Sequence, residues 1–128
     1  MYSKDFDGWN KLKQIIDERP ADVFAYPREI WWCSLGVNIG AEMNGKNDNF
    51  ERPVVIVKVY NKETLLALPL TSKPKTDKFH FRISSGQHDS WAKLTQAKVL
   101  SHKRLLRKIG VLNEMEFSQL ILTWKNFV

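Results

Sequence analysis

Two nearly continuous apolar runs, 53–60 (PVVIVKVY) and 64–70 (TLLALPL), are separated only by Asn61-Lys62-Glu63. Runs of this length bounded by turn residues predict two strands buried on both faces and joined by a tight turn. Pro69 has no N–H to give to a ladder, so pairing is expected to stop near it or to lie at an edge. Other elements gather around this centre. Residues 28–35 (REIWWCSL) predict an earlier strand, and 77–83 (DKFHFRI) alternates, with Phe79, Phe81 and Ile83 on one side and Lys78, His80 and Arg82 on the other. Residues 84–90 predict a turn and 94–100 (LTQAKVL) a last strand, followed by a short basic helix, SHKRLLRKI, stopped at Gly110.

Helices are expected at both ends. Over 3–19, Phe6, Trp9, Leu12 and Ile16 share a face, Ser3 supplies a cap, and Pro20 ends the helix. Asn113, with Glu116 three residues on, begins a final helix whose stripe is Phe117, Leu120, Ile121, Trp124 and Val128. The order of helix, several strands and helix predicts a small, strongly bent sheet or barrel with helices packed on it. The segment between the first two strands, GVNIGAEMNGKNDNFE, has no apolar period and reads as a long loop of the kind that is functional or disordered.

The chain of 128 residues supports one core. Its lone cysteine, Cys33, excludes an internal disulfide and a cysteine-based metal site. No run of eighteen apolar residues offers a membrane span, and the opening MYSKDFDGWNK does not read as a signal peptide, so a reducing cytoplasm is the expected compartment. The net charge of +6 is concentrated in residues 73–110, which hold ten basic and two acidic residues. Such a block is either a solvated basic face or a surface for a polyanion.

Five stretches in order carry a resemblance. They are Arg28-Glu29-Ile30-Trp31-Trp32; Gly40-Ala41-Glu42 with Gly45-Lys46; Arg52-Pro53-Val54-Val55; Pro69-Leu70-Thr71-Ser72-Lys73; and Gln96-Ala97-Lys98-Val99-Leu100-Ser101 running into Lys103-Arg104-Leu105. Over about residues 27–120 the chain resembles the MazF/PemK (Kid) toxins of bacterial toxin–antitoxin pairs. The resemblance implies a mainly β fold with helices, an SH3-like small barrel of the MazF/PemK/CcdB type. It divides the chain into an N-terminal helical extension, 1–24, and a toxin domain, 25–128. It implies a homodimer, metal-independent and sequence-specific cleavage of single-stranded RNA without a cofactor, and a cognate antitoxin whose acidic extended tail fills the RNA groove. The nine residues between Glu42 and Arg52 exceed the spacing in compact members of the family, and the helix at 3–19 lies outside the minimal barrel.

Cleavage of RNA without a metal needs a base for the 2′-hydroxyl, a cation for the charge that develops on the phosphorus oxygens, and a proton for the leaving 5′-oxygen. The candidates are Arg52, as a cationic fork whose other role would be an ion pair with Glu42 or Glu51; Thr71, as a hydroxyl donor; and Glu42, as the base. Ser72, Lys73, Lys75, Lys78, His80, Arg82 and Lys46 are candidates for holding RNA, with Phe50, Tyr60 or Trp91 as stacking surfaces. His80, His88 and His102 are not spaced as metal ligands. Two other functions remain open: a toxin of the same barrel that grips a protein such as DNA gyrase, as the CcdB branch does, and a module that binds RNA without cutting it.

Overall fold

The two apolar runs form the middle of one antiparallel sheet in the computed structural model, which describes residues 4–20, 22–84 and 88–128. Strands β2 (Glu51–Val59) and β3 (Thr64–Thr71) follow β1 (Glu29–Ser34), and are followed by β4 (His80–Ile83), β5 (Ser90–Lys93), β6 (Lys98–Ser101) and β7 (Leu105–Val111). Helices α1 (Phe6–Asp17) and α2 (Glu114–Phe127) flank them. The Asn61 carboxamide oxygen closes the β2–β3 turn by accepting from the amides of Glu63 and Thr64 at 2.8 and 2.9 Å. This Asx-type turn explains why a four-residue connection suffices.

The sheet runs β4-β5-β3-β2-β1-β7, with β6 also on β3. It is open; the barrel does not close. Strand β3 changes neighbours along its length. Thr64–Ala67 pair with β6, whereas Leu70 and Thr71 pair with β5. Pro69 sits at this change of partner and is also the last paired residue towards β2, opposite Val54. The missing N–H therefore falls where the ladder switches neighbours, as expected of a proline inside a sheet.

Alternation along β2 and β3 feeds two cores. Val54, Ile56, Leu65 and Ala67 meet Trp31, Cys33, Leu35, Met43, Leu100 and Leu105 on one face. Val55, Leu68 and Leu70 meet Ile83, Ala92, Leu112 and, from α2, Leu120 on the other, with Phe117, Trp124 and Phe127 alongside. Asn113 caps α2 by accepting from the Glu116 amide at 2.7 Å, and the Glu116 carboxylate reaches Ser84. Val128, expected in the stripe, is exposed, and Phe127 packs instead.

Three expectations are corrected. SHKRLLRKI is not a helix: only His102–Arg104 makes a 3₁₀ turn, and Leu105–Val111 is a strand on the second edge of β1. Leu, Arg and Lys favour a helix locally, but β1 offers a row of unpaired backbone groups that this segment satisfies. Register shifts at Ile30/Trp31 and Trp32/Cys33 scramble its alternation and hide the strand in the sequence. Second, β5 arises within a stretch that reads as turn and polar connection; residues 85–87 of the expected turn lie outside the described residues. Third, α1 is capped by Asp5, which accepts from the Gly8 amide at 2.8 Å; Ser3 lies outside the described residues.

Helix α1 packs Trp9 and Ile16 against Val37, with Leu12 and Phe50 beside them, while Phe6 is exposed. Trp9 lies against Gly36, whose φ is +80°, and a Cβ there would fall 2.1 Å from the indole ring. Only glycine fits both the backbone and the contact. Gly36→Ala should destabilise the protein by about 3 kcal/mol, from clash and left-handed strain together. In a Trp9→Ala background the same change should cost only about 1 kcal/mol, the strain alone. Urea denaturation of the four proteins in this cycle measures the difference, and an equal cost in both backgrounds would contradict the contact.

Candidate functional site

Residues directly opposite in an antiparallel pair share a face. The pairs Thr71↔Trp91, Arg82↔Trp91 and His80↔Lys93 therefore place Thr71, Trp91, Lys93, His80 and Arg82 on one face of the sheet. Leu70, Ala92, Phe81 and Ile83 lie on the other, in or against the α2 core. The β2–β3 pairing ends at Val54↔Pro69, but the Arg52 Nη1 still donates to the carbonyl of Leu70, the residue before Thr71. This contact spans eighteen positions of the chain.

Arg52 is partly buried. Its Nε donates to the Asn44 carbonyl at 2.5 Å and its Nη1 to the Leu70 carbonyl at 3.2 Å. Burial lowers its pKa. Among the described residues no carboxylate lies within ion-pair distance of it. The two acids that might have neutralised it are engaged elsewhere. Glu51 accepts from Arg107 Nη1 at 2.9 Å. Glu42 is exposed, and its Oε1 accepts from the Ile39 amide at 3.0 Å. Lys98, whose pKa is lowered by burial, is raised in part by the charge of Glu42.

Thr71 is 7% exposed. Its Oγ1 accepts from the Lys73 amide at 3.3 Å, and among the described residues no protein acceptor takes its hydrogen. Ser72, Lys73 and Lys78 are exposed and Lys75 is half-buried. Lys78 lies 5.5 Å from the Phe79 ring centroid. His80 Nδ1 is 2.6 Å from Asp77 Oδ1, a contact that, as its largest cause, holds the Asp77 carboxyl below its usual range. The His80 Nε2 is buried without a protein partner. Arg82 pairs with Asp89 at 2.5 Å. Lys46 is exposed at the mouth of a small hairpin, its backbone bonded to that of Glu51. Of the aromatic candidates, Trp91 lies on the site face, Phe50 packs on Trp9 at 5.6 Å between centroids, and Tyr60 is exposed beside Lys58. His102 is buried against Asn61 and His88 is exposed. Among the described residues, no three His, Cys, Asp or Glu side chains gather as metal ligands.

The loop before Arg52 is tied down. Gln96 Oε1 accepts from the Met43 amide at 2.6 Å and its Nε2 donates to the Ala41 carbonyl at 3.2 Å. Asn38 Nδ2 donates to the carbonyls of Leu35 and Met43. Lys4 reaches the carbonyls of Asn38 and Gly40 from the start of α1. Sequence reasoning missed Gln96 and Asn44 as positioning residues and Lys93 as a member of the cationic face. Lys93 was hidden with β5, since four residues of Ser-Trp-Ala-Lys carry too little alternation to mark a strand.

A sequence model of PemK-like, MazF-like toxins of type II toxin–antitoxin systems matches residues 26–125. The chain belongs to this family. Three solved structures are similar in fold. MazF from Deinococcus radiodurans matches with a TM-score of 0.70 at 15% identity, over 83% of this chain and 97% of that one. An endoribonuclease in complex with its cognate antitoxin, from a mycobacterial species, matches with a TM-score of 0.63 at 13% identity, over 80% and 93%. The MazE–MazF structure from D. radiodurans matches with a TM-score of 0.63 at 13% identity, over 83% and 96%. Comparison with curated protein sequences yields no match. Among the described residues no helix is long and apolar enough to cross a membrane.

Cys33 of β1 lies opposite Arg52 of β2, and burial pushes its thiol up to about 12. At about pH 8, near the ordinary thiol pKa, the native toxin should resist alkylation and become fully labelled only in denaturant. Rapid labelling of the native protein, followed by mass spectrometry, would show that the loop and β1 open freely.

Proposed function

We propose that this toxin is a metal-independent endoribonuclease that cleaves single-stranded RNA at specific sequences through attack of a 2′-hydroxyl on the adjacent phosphate. The observation that carries the reading is the partly buried Arg52 guanidinium, with no carboxylate in ion-pair distance among the described residues and hydrogen-bonded to the Leu70 carbonyl next to Thr71. The endoribonuclease and MazF neighbours support it.

In this mechanism Arg52 keeps two donors on backbone carbonyls and turns its remaining Nη–H groups to the non-bridging oxygens of the scissile phosphate, where charge grows in the transition state. Thr71 donates its O–H to the same phosphate, and Ser72 and Lys73 flank it. Glu42 serves as the base for the 2′-hydroxyl; to reach it, the carboxylate leaves the Ile39 amide, so the loop shifts when RNA binds. The 2′-oxygen bonds to phosphorus, the P–O5′ bond breaks, and the 5′-oxygen takes a proton from solvent or from Arg52. The products are a 2′,3′-cyclic phosphate and a 5′-hydroxyl. Lys75, Lys78, His80, Arg82 and Lys46 guide the flanking backbone. The protein acts as a homodimer in the cytoplasm. A cognate antitoxin closes the cationic face with an acidic extended tail, in keeping with the antitoxin complexes among the neighbours.

Incubation with a long single-stranded RNA in EDTA, followed by end mapping, tests the reaction. Cuts should fall at one short recurring sequence, and Arg52→Ala should lower the rate by about 10²–10³-fold, the scale of losing a transition-state donor. Thr71→Ser should retain far more activity than Thr71→Val. Intact RNA with retained binding would favour a non-cleaving RNA module, and intact RNA with inhibited gyrase a protein-directed toxin. In a separate competition, an acidic peptide should displace RNA, and its effect should fade as salt rises.

A further inference from the structure

Four Lys and Arg side chains pair with acids. Arg28 lies near Glu114, Arg82 against Asp89, Arg107 against Glu51 and Lys108 against Glu29. Lys93 differs from these. It sits at the end of β5 opposite His80, on the face that carries Thr71, and it is partly buried. Among the described residues it has no carboxylate within ion-pair distance. Burial lowers its pKa first, and the charges of Lys75 and Arg52 lower it further. The one acid that opposes this is Asp77, whose carboxylate is already held by His80. Lys93 thus stands on the face of Thr71 and His80, with the charges of Lys75 and Arg52 opposing its own. A partly desolvated ammonium held beside like charges costs stability unless an anion completes the arrangement. Arg52 with Thr71 accounts for one phosphate; Lys93 and Lys75 remain for another.

We propose that Lys93 is a phosphate-contacting residue of the RNA site, holding the backbone phosphate next to the one seated at Arg52 and Thr71. The inference rests on the endoribonuclease reading and deepens it. The pair Lys93 and Lys75 takes the second phosphate, and Trp91, on the same strand and face, borders the base between them.

The test is equilibrium binding of a mixed-sequence single-stranded RNA that is 2′-O-methylated throughout and so cannot be cut, measured by fluorescence anisotropy across a salt series. Lys93→Gln should weaken binding by about 5- to 10-fold and reduce the salt slope by about 0.7, the loss of one phosphate contact on a single strand. Lys93→Arg should stay within about twofold of the parent, because the charge is kept. Lys62→Gln, in the exposed β2–β3 turn, should bind as the parent does. With cleavable RNA, Lys93→Gln should raise KM more than it lowers kcat. A parent that binds and cleaves RNA, alongside a Lys93→Gln variant with unchanged affinity and slope, overturns the inference alone. A parent that neither binds nor cleaves RNA overturns the proposed function, and the inference with it.

Discussion

A guanidinium taken partly out of water needs compensation, and Arg52 receives it from backbone carbonyls in place of a carboxylate. The Asn44 and Leu70 oxygens satisfy two of its donors and fix its orientation, yet they bring no formal negative charge. The positive charge therefore survives, partly buried, beside the Leu70 carbonyl that precedes Thr71. Had Glu42 or Glu51 paired with it, the site would be a neutral structural ion pair. Glu51 is drawn to Arg107 on β7 and Glu42 is turned back onto its own loop, so the framework keeps both acids occupied.

Holding Asn44 in place is the work of a long loop with little secondary structure of its own. Gly45 donates to the Gly36 carbonyl at 2.7 Å, and a Cβ at Gly45 would run into the Phe50 carbonyl, so the two ends of the loop meet at the closest approach the backbone allows. Gln96 clamps the loop from the β5–β6 connection, and α1 braces it through Trp9 against Phe50, with Lys4 just before the helix. Helix α1 lies outside the region matched by the family. Its contacts run to Gly36, Asn38, Gly40 and Phe50, and to Lys103 and Arg104 on the far flank. It thus reaches Arg52 indirectly, through the loop whose Asn44 carbonyl orients the guanidinium.

The strands buried on both faces were legible in the sequence, because β2 and β3 are long, apolar and joined by an Asx turn. Helix α2 was legible from its cap and its stripe. What escaped was decided by partners rather than by local composition: β7 exists because β1 has a free edge, and β5 because the far end of β3 has one. The site followed the same division. Arg52 and Thr71 stood out by their motifs, and the Arg52 guanidinium reaches the Leu70 carbonyl beside Thr71. Lys93 could not stand out, since its significance depends on a strand the sequence hides. Glu42 was marked by its motif, but its carboxylate is bonded to the Ile39 amide, with no ion pair to Arg52 among the described residues.

The measurement closest to the central claim is a crystal structure of the toxin with a single-stranded RNA bearing its mapped cut sequence and a 2′-deoxyribose at the cut. The account predicts the scissile phosphate within hydrogen-bond distance of both the Arg52 Nη atoms and Thr71 Oγ1, with Arg52 still anchored to the Asn44 and Leu70 carbonyls. A phosphate seated elsewhere on the molecule, with Arg52 and Thr71 untouched by RNA, would contradict it.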